Sequence, residues 1–224
     1  MNLMEGLTEE GSDLKPKPAL AERWEVSPDG LTYVFHLRAG VQWSDGKPLK
    51  ARDFEESWFR LLSPKTRSSY AHFLFDVEGA EAFHVGKLKD RSKVGVKALD
   101  DARFQVKLRR PVPYFAHVPS FWVTFPVRAA LIARHGAKWA LPGKLATLGP
   151  YRLEEWKNGR VVLTKNPTYR APVGGVLPGI ARVEAVVEAS DAKARQLFEA
   201  GKLDVFMNAN TQDLVTARAA SAGK

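Results

Sequence analysis

Large apolar residues recur at every second position in several short stretches of the chain, as they do in half-buried β-strands. From Leu31 onward the pattern holds over residues 31–38, which predicts a strand with one buried face. The same spacing predicts a hairpin formed by residues 94–98 and 104–108, and a further strand over residues 182–189. The chain therefore contains several short strands joined by turns.

Other stretches repeat their apolar residues with helical spacing. In residues 51–62, Phe54, Trp58 and the Leu61-Leu62 pair fall at i, i+4, i+7 and i+8, which predicts an amphipathic helix. Lys50 stands at the N-cap position, where its side chain cannot accept a hydrogen bond. Further helices are predicted over residues 77–85, 127–135, 192–200 and 211–220.

Residues 148–169 predict a second β-hairpin with clear turn signals at each end. Asn158-Gly159 tolerates positive φ angles and can form the tight turn. Pro167 ends the second strand because it has no N–H for the ladder. The residues by themselves predict an antiparallel hairpin and do not distinguish it from the hairpins of other folds. Its apolar positions recur with period two on both strands, at Tyr151, Leu153, Val161 and Leu163.

The first residues of the chain admit two interpretations. Residues 3–7 predict a short apolar strand with Gly6 inside it, and a glycine in a strand often marks a close approach by another backbone. Position alone favours a frayed N-terminus instead. Residues 11–18 are polar and contain two prolines, which predicts a linker.

Composition and charge exclude several classes of protein. The chain has 224 residues, of which 45% are hydrophobic, enough for a core in one large domain or two small ones. Cysteine is absent, which excludes disulfides and thiolate chemistry. The net charge is +9, but the basic residues are scattered and carry no nucleic-acid-binding signature. A solvated basic surface is the simplest explanation.

Catalytic and cofactor motifs are missing from the sequence. The five histidines lack metal-ligand spacing, and neither a phosphate-binding glycine loop nor a nucleophile elbow is present. We therefore expect no enzyme, no metal and no cofactor. The chain has no apolar run of membrane-spanning length, and residues 1–4 do not have the features of a signal peptide.

Four segments of the chain carry a more specific signal than their periodicity. They are, in chain order, LRAGVQWSDGKPLKARDF, GVKALDDARFQVKLRRPVPYF, GPYRLEEW…NGRVVLTKNPTYR and FEAGKLDVFM. In this order they resemble the family 5 extracellular solute-binding proteins, which are the oligopeptide- and dipeptide-binding receptors of bacterial ABC importers. Two departures stand out: Lys50 replaces the usual Thr before a helix, and Arg170 replaces the usual Trp after Tyr169.

The resemblance implies an α+β, periplasmic-binding-protein-like fold of type II, in the peptide-binding subclass. Residues 1–17 and 148–224 would form part of a mixed-sheet lobe I, and residues 18–147 an inserted α/β domain II. The third domain of the family would be missing, so that the chain corresponds to an N-terminal half.

The same resemblance implies a function and a site. The chain would be the substrate-binding component of a peptide ABC transporter, or a fragment of it, located in the periplasm or at the cell surface. It would capture oligopeptides by strand pairing at Glu5, Gly6 and Leu7, with Trp122 on the wall of the cleft. Its partners would be the peptide, the importer's membrane subunits and the missing C-terminal half.

Two questions stay open at the level of the sequence. The ligand of such a receptor can be a peptide, a metal chelate or haem. The alternative function is a basic interaction module that reuses the scaffold to bind nucleic acid or a protein partner. We do not expect nucleic acid as a partner, because no signature accompanies the positive charge.

Overall fold

The computed structural model describes residues 2–172 and 174–207. The chain divides into two compact units, one formed by Met1–Trp156 with Val162–Val183 and the other by Lys157–Val161 with Glu184–Lys224. The helix predicted over residues 211–220 lies outside the described residues.

The described strands are short and form three sheets, of two, four and three strands. The strand orders are β1-β2, β3-β4-β6-β5 and β7-β8-β9. The strands are β1 (Thr8–Glu10), β2 (Pro16–Pro18), β3 (Ala21–Val26), β4 (Thr32–Leu37), β5 (Val96–Ala98), β6 (Arg103–Lys107), β7 (Tyr151–Lys157), β8 (Arg160–Lys165) and β9 (Arg182–Val186).

The α-helices of the described residues are also short, and several 3₁₀ turns lie between them. The helices are α1 (Ala51–Leu62), α2 (Ala80–His84), α3 (Ala129–His135) and α4 (Asp191–Glu199). The 3₁₀ turns are Ala71–Leu74, Arg91–Lys93, Phe115–Ser120, Trp122–Thr124 and Gly136–Lys138.

The main core lies between the four-stranded sheet and α1. All pairs of neighbouring strands in this sheet are antiparallel, and Phe35 of β4 faces Phe104 of β6 across the ladder. Phe54 and Trp58 of α1 pack on Phe104, with ring centroids 5.7 and 5.1 Å apart. These four side chains and Trp43 are fully buried. The period-two and helical patterns of the sequence therefore meet at one hydrophobic interface.

The start of α1 has no side-chain N-cap at Lys50 and is held by Asp53 instead. The Asp53 carboxylate accepts hydrogen bonds from the Lys50 N–H at 3.0 Å and from the Trp43 indole N–H at 3.1 Å. The third helical residue thus supplies one of the two hydrogen bonds of a capping box, while the other, which a Thr side chain at position 50 would have accepted from an N–H inside the helix, is not made by Lys50.

The N-terminal region differs from the sequence-based prediction in two ways. The strand predicted over residues 3–7 is wrong, because β1 begins only at Thr8. The linker predicted over residues 11–18 is wrong for its last three residues, because Pro16–Pro18 forms β2 and pairs antiparallel with β1, whereas residues 11–15 form the turn between the two strands. The two prolines are tolerated because β2 lies at the edge of a two-stranded sheet.

Several helices and one buried position also depart from the prediction. α2 and α3 begin later than predicted, at Ala80 and Ala129. α4 begins one residue earlier than predicted, at Asp191, and Ser190 is its N-cap, since the Ser190 hydroxyl accepts a hydrogen bond from the Lys193 N–H. On β8 the fully buried residue is Val162, whereas Val161 is half-buried. The next residue, Leu163, is buried as well, so both faces of β8 are covered at this point and burial does not alternate along the strand.

The tight turn predicted at Asn158-Gly159 is confirmed, with φ angles of 51° and 71°. Replacing Gly159 by Val should lower the free energy of unfolding by about 1–2 kcal/mol, because a β-branched residue resists positive φ. Denaturant unfolding measures the loss, and Gly159→Asn should lose less because Asn tolerates this conformation. Equal midpoints for the wild type and the Val variant would contradict the prediction.

The division into lobe I (1–17 and 148–224) and domain II (18–147) stays a prediction. The main core includes residues on both sides of the predicted boundaries, among them Leu7 and Leu148. A chain of residues 18–147 is expected to unfold cooperatively by itself, and a non-cooperative melt of that piece would argue against the division.

Candidate functional site

A pocket of about 370 Å³ lies between the N-terminal segment and the aromatic stretch that follows the Phe115–Ser120 turn. Glu5 and Gly6 line this pocket, whereas Leu7 is fully buried in the core. The remaining lining residues are Met4, Thr8, Glu9, Glu10, Ala19, Ser120, Phe121 and Phe125.

Gly6 lies where two parts of the chain approach closely. A Cβ atom on Gly6 would stand 2.2 Å from the Pro119 carbonyl oxygen and 2.7 Å from the Phe125 ring. Both distances are shorter than any contact a real Cβ makes. The close approach predicted from the glycine is therefore present, and only a residue without a side chain fits there.

The backbone around Gly6 is partly engaged within the protein. The Gly6 carbonyl accepts from Leu20 N–H at 2.9 Å, and the Leu7 carbonyl accepts from Ala19 and Ala21 N–H at 3.2 and 3.0 Å. Within residues 2–172 and 174–207, the N–H and C=O groups of Glu5 bond to no other backbone group. The edge that can still pair with an extended ligand is therefore centred on Glu5.

The Glu5 carboxylate points into the protein and is held by two side chains. Tyr169 Oη donates to it at 2.7 Å and Arg38 Nη2 donates to it at 3.2 Å. The Glu5 and Arg38 side chains are only 13% and 10% exposed. Burial raises the pKa of Glu5 above its usual value, although the two donors act in the opposite direction. Burial and the hydrogen bond to Glu5 together raise the pKa of Tyr169, so that its hydroxyl remains a donor.

Arg38 connects the Glu5 carboxylate to the chain that follows β8. Its Nη1 donates to the carbonyl oxygens of Arg170 and Ala171, both at 2.9 Å. Its Nε atom is buried without a hydrogen-bond partner in the described part of the chain. Arg38 and Tyr169 were not predicted as site residues. Both stand in segments that carry the family resemblance, but no periodicity or spacing links them to Glu5.

The structure places Trp122 beside the pocket and not in its lining. Its side chain is 50% exposed and stacks edge-on against Tyr70, with ring centroids 5.0 Å apart. Its neighbour Phe121 does line the pocket and stacks on Phe73 at 4.3 Å. The aromatic wall therefore includes Phe121 and Phe125, which were not proposed as site residues from the sequence.

Charge is distributed unevenly around the pocket. The three charged residues that line it, Glu5, Glu9 and Glu10, are all acidic, and since the Glu5 carboxylate is paired with Arg38, the charge that faces the pocket comes from Glu9 and Glu10. A cleft lined by one sign of charge favours ligands of the opposite sign. Across residues 2–172 and 174–207 no cluster of three His, Asp or Glu side chains could hold a metal ion. No helix among the described residues is both long and apolar enough to cross a bilayer.

Comparisons with known proteins agree with the geometry. The model of the family described as bacterial extracellular solute-binding proteins, family 5 Middle, matches residues 15–224. The chain is 38% identical over 208 residues to the probable deoxycholate-binding periplasmic protein YgiS of Escherichia coli K12, covering 92% of this chain and 38% of that protein. It is 37% identical over 210 residues to the periplasmic oligopeptide-binding protein OppA of the same organism, with the same coverage of each chain.

Solved structures show the same fold. The substrate-binding domain of an oligopeptide ABC transporter from Bacillus anthracis superposes with a TM-score of 0.84 at 34% identity, over 91% of this chain and 39% of that one. The complex of Haemophilus influenzae OppA with the peptide RPPGFSPFR superposes with a TM-score of 0.82 at 31% identity, with the same coverage.

The predicted periplasmic-binding-protein-like fold is confirmed by these superpositions. The chain spans about two fifths of the length of the relatives that it matches. The family model covers residues 15–224, and several relatives are more than 30% identical over nine tenths of this chain. The chain therefore belongs to the bacterial extracellular solute-binding proteins of family 5.

Proposed function

We propose that this chain is part of the substrate-binding component of a peptide ABC importer and captures oligopeptides at the pocket beside Glu5 and Gly6. The observation that supports this most directly is the backbone of Glu5 at the edge of that pocket, which bonds to no other backbone group in the described part of the chain. An extended peptide offers N–H and C=O groups of the same geometry whatever its sequence. Pairing with the backbone would therefore give affinity without narrow specificity.

The pocket walls would give a weaker selection among peptides. Phe121 and Phe125 offer aromatic surface to ligand side chains, and Trp122 extends this surface on the exposed side. Glu9 and Glu10 lie at the open edge and favour peptides that carry Lys or Arg. Leu7 contributes by anchoring the segment in the core, since it is fully buried. None of these residues is proposed to catalyse a reaction.

The complete cleft would need more than these 224 residues. The relatives OppA and YgiS are more than twice as long as the region that matches this chain. We propose that residues 1–17 and 148–224 belong to lobe I, that residues 18–147 form domain II, and that a C-terminal half of the receptor supplies the opposite wall. The membrane subunits of the importer would be the second partner. The chain itself would be located in the periplasm or at the cell surface.

Peptide binding by the 224-residue chain alone should be weak. Suppose that about four backbone hydrogen bonds form with a peptide, each contributing about 1 kcal/mol net. Association costs roughly 4–15 kcal/mol in lost translational and rotational freedom. The dissociation constant should therefore be about millimolar or weaker. Calorimetry with a mixture of tripeptides to pentapeptides is expected to show no saturable heat at micromolar protein concentration.

The same calorimetry, at higher peptide concentration, tests whether the acidic edge of the pocket selects among peptides. A Lys-containing pentapeptide at millimolar concentration should bind more tightly than its Glu-containing counterpart, and Glu9→Gln with Glu10→Gln should remove the difference. Micromolar affinity of the chain by itself would contradict the need for a second wall. Equal heats for the two peptides would contradict the role of the acidic edge.

Two other ligands deserve a direct comparison in the same experiment. A relative that is 38% identical is named as a probable deoxycholate-binding protein, so a bile acid is the second candidate ligand. Nucleic acid is disfavoured by the family to which the chain belongs. Binding to duplex DNA with a steep dependence on salt would nevertheless support the alternative of a basic interaction module.

A further inference from the structure

A second pocket of about 450 Å³ lies among α1, α2 and α3 and shares no lining residue with the first. Its volume is within the usual range for small-molecule sites. Its floor is apolar and comes from all three helices and from Val127, two residues before α3. The residues of the floor are Phe59, Phe83, Val127, Ile132 and Ala133.

The rim of this pocket carries an excess of positive charge. Arg60, Lys65 and Arg91 line it together with a single carboxylate, Glu56. Glu56 is bound to Arg91, at 3.2 Å. In the described part of the chain, Arg60 and Lys65 form no ion pair. The guanidinium carbon of Arg60 lies 5.7 Å from the centre of the Trp139 ring, a contact that does not use its N–H donors on a carboxylate. Two cations at the mouth of the pocket therefore remain without a carboxylate partner among the described residues and can bind an anionic ligand.

The pocket is held in shape by contacts that do not use those two cations. The guanidinium carbon of Arg91 lies 4.1 Å from the centre of the Phe59 ring, which fixes one wall. The hydroxyl of Ser57 accepts from the Val127 N–H at 2.8 Å, which ties α1 to the segment leading into α3. A ligand would enter a preformed cavity and lose little affinity to reorganisation.

We propose that this second pocket binds a small amphipathic anion, whose carboxylate lies against Arg60 and Lys65 and whose aliphatic part covers the apolar floor. Neutral apolar molecules could contact the floor but would form no ion pair with the cations of the rim. Cationic amphiphiles would be repelled by three like charges, of which Glu56 offsets one. The combination of an apolar floor and a cationic rim therefore selects for both halves of such a ligand. This site is separate from the proposed peptide pocket, and either proposal can fail without the other.

The test uses sodium octanoate as the probe with the full 224-residue chain, followed by calorimetry or by amide chemical shifts. Octanoate is expected to bind saturably at one site, and octylammonium at least about tenfold more weakly. The double variant Arg60→Gln with Lys65→Gln should lose about tenfold or more in octanoate affinity. Ala133→Phe should abolish binding by filling the pocket, since Ala133 is one of the residues that line it.

A matched control is the double variant Lys47→Gln with Lys97→Gln, which removes two exposed lysines that do not line the pocket. Its octanoate affinity should equal that of the wild type. The proposal is overturned if octanoate does not bind, if octylammonium binds equally well, or if Ala133→Phe leaves binding intact. Self-association of the chain that depends on Lys65, without octanoate binding, would also overturn it and would assign the surface to a protein partner.

Discussion

Replacing Arg38 by Met is expected to lower the free energy of unfolding by about 3–5 kcal/mol, which is the usual effect of removing one member of a buried ion pair. The Glu5 and Arg38 side chains are 13% and 10% exposed, so the carboxylate would be left charged in a site with little water. The variant also loses the two hydrogen bonds to the carbonyl oxygens of Arg170 and Ala171. Urea or thermal unfolding at neutral pH measures the loss.

The loss of stability in Arg38→Met should depend on pH, because it comes from the charged carboxylate of Glu5. A Glu carboxyl with a raised pKa in the folded state favours folding when it is protonated, and this contribution is lost as the pH rises through that pKa. The pKa of Glu5 is already raised, and removing Arg38 raises it further. The defect of Arg38→Met should therefore shrink as the pH falls from neutrality towards 4.5, the usual pKa of a glutamate.

A control for this experiment is Arg109→Met, which breaks ion pairs of an arginine that is half exposed. Its effect should be about 1 kcal/mol or less, because surface ion pairs contribute little. If Arg38→Met and Arg109→Met destabilise the protein equally, or if the Arg38→Met defect does not change with pH, then the Glu5–Arg38 pair does not hold the segment as described.

Replacing Gly6 by Val is expected to cost about 3 kcal/mol through overpacking. The Cβ atom alone would meet the Pro119 carbonyl oxygen at 2.2 Å and the Phe125 ring at 2.7 Å. The ring can move, but the carbonyl belongs to the backbone of the Phe115–Ser120 turn. The pocket would narrow or the N-terminal segment would detach. Thermal unfolding gives the loss of stability.

The matched control is Gly179→Val, because a Cβ on Gly179 would meet no atom within 4 Å and its φ is not positive. Its effect on stability should be small, within about 0.5 kcal/mol as for ordinary surface changes. Comparable losses for Gly6→Val and Gly179→Val would show that the two backbones at Gly6 can separate without penalty, which would contradict the geometry of the site.

The parts of the fold that could be predicted from the sequence are those in which a single periodicity decides the structure. α1 occupies the predicted residues 51–62, and β4 buries the predicted positions Tyr33, Phe35 and Leu37. β2 was missed because two prolines in three residues argue against a strand, and only its partner β1 stabilises it there. Tertiary pairing thus overrode local preference.

The candidate site was predictable only in part, because its residues lie far apart in the sequence. Glu5 and Gly6 were identified through the family resemblance, and the structure places both at a pocket, while their role in ligand binding stays a prediction. Arg38 and Tyr169 lie 33 and 164 residues from Glu5 in sequence. Neither periodicity nor turn chemistry carries information over such separations. A buried carboxylate needs partners, but the sequence does not say where along the chain they are.

The first residues of the chain are secured by atoms that are synthesised much later. The carbonyl of Leu3 accepts hydrogen bonds from the N–H groups of Leu148 and Gly149, and that of Asn2 accepts from Tyr151. A ribosome adds about 5–20 residues per second, so these partners emerge roughly 7–30 seconds after the segment that needs them. During translation this loop therefore cannot close until residues 148–151 have emerged, and the side chain of Leu7, which is fully buried in the folded protein, is synthesised long before that closure is possible.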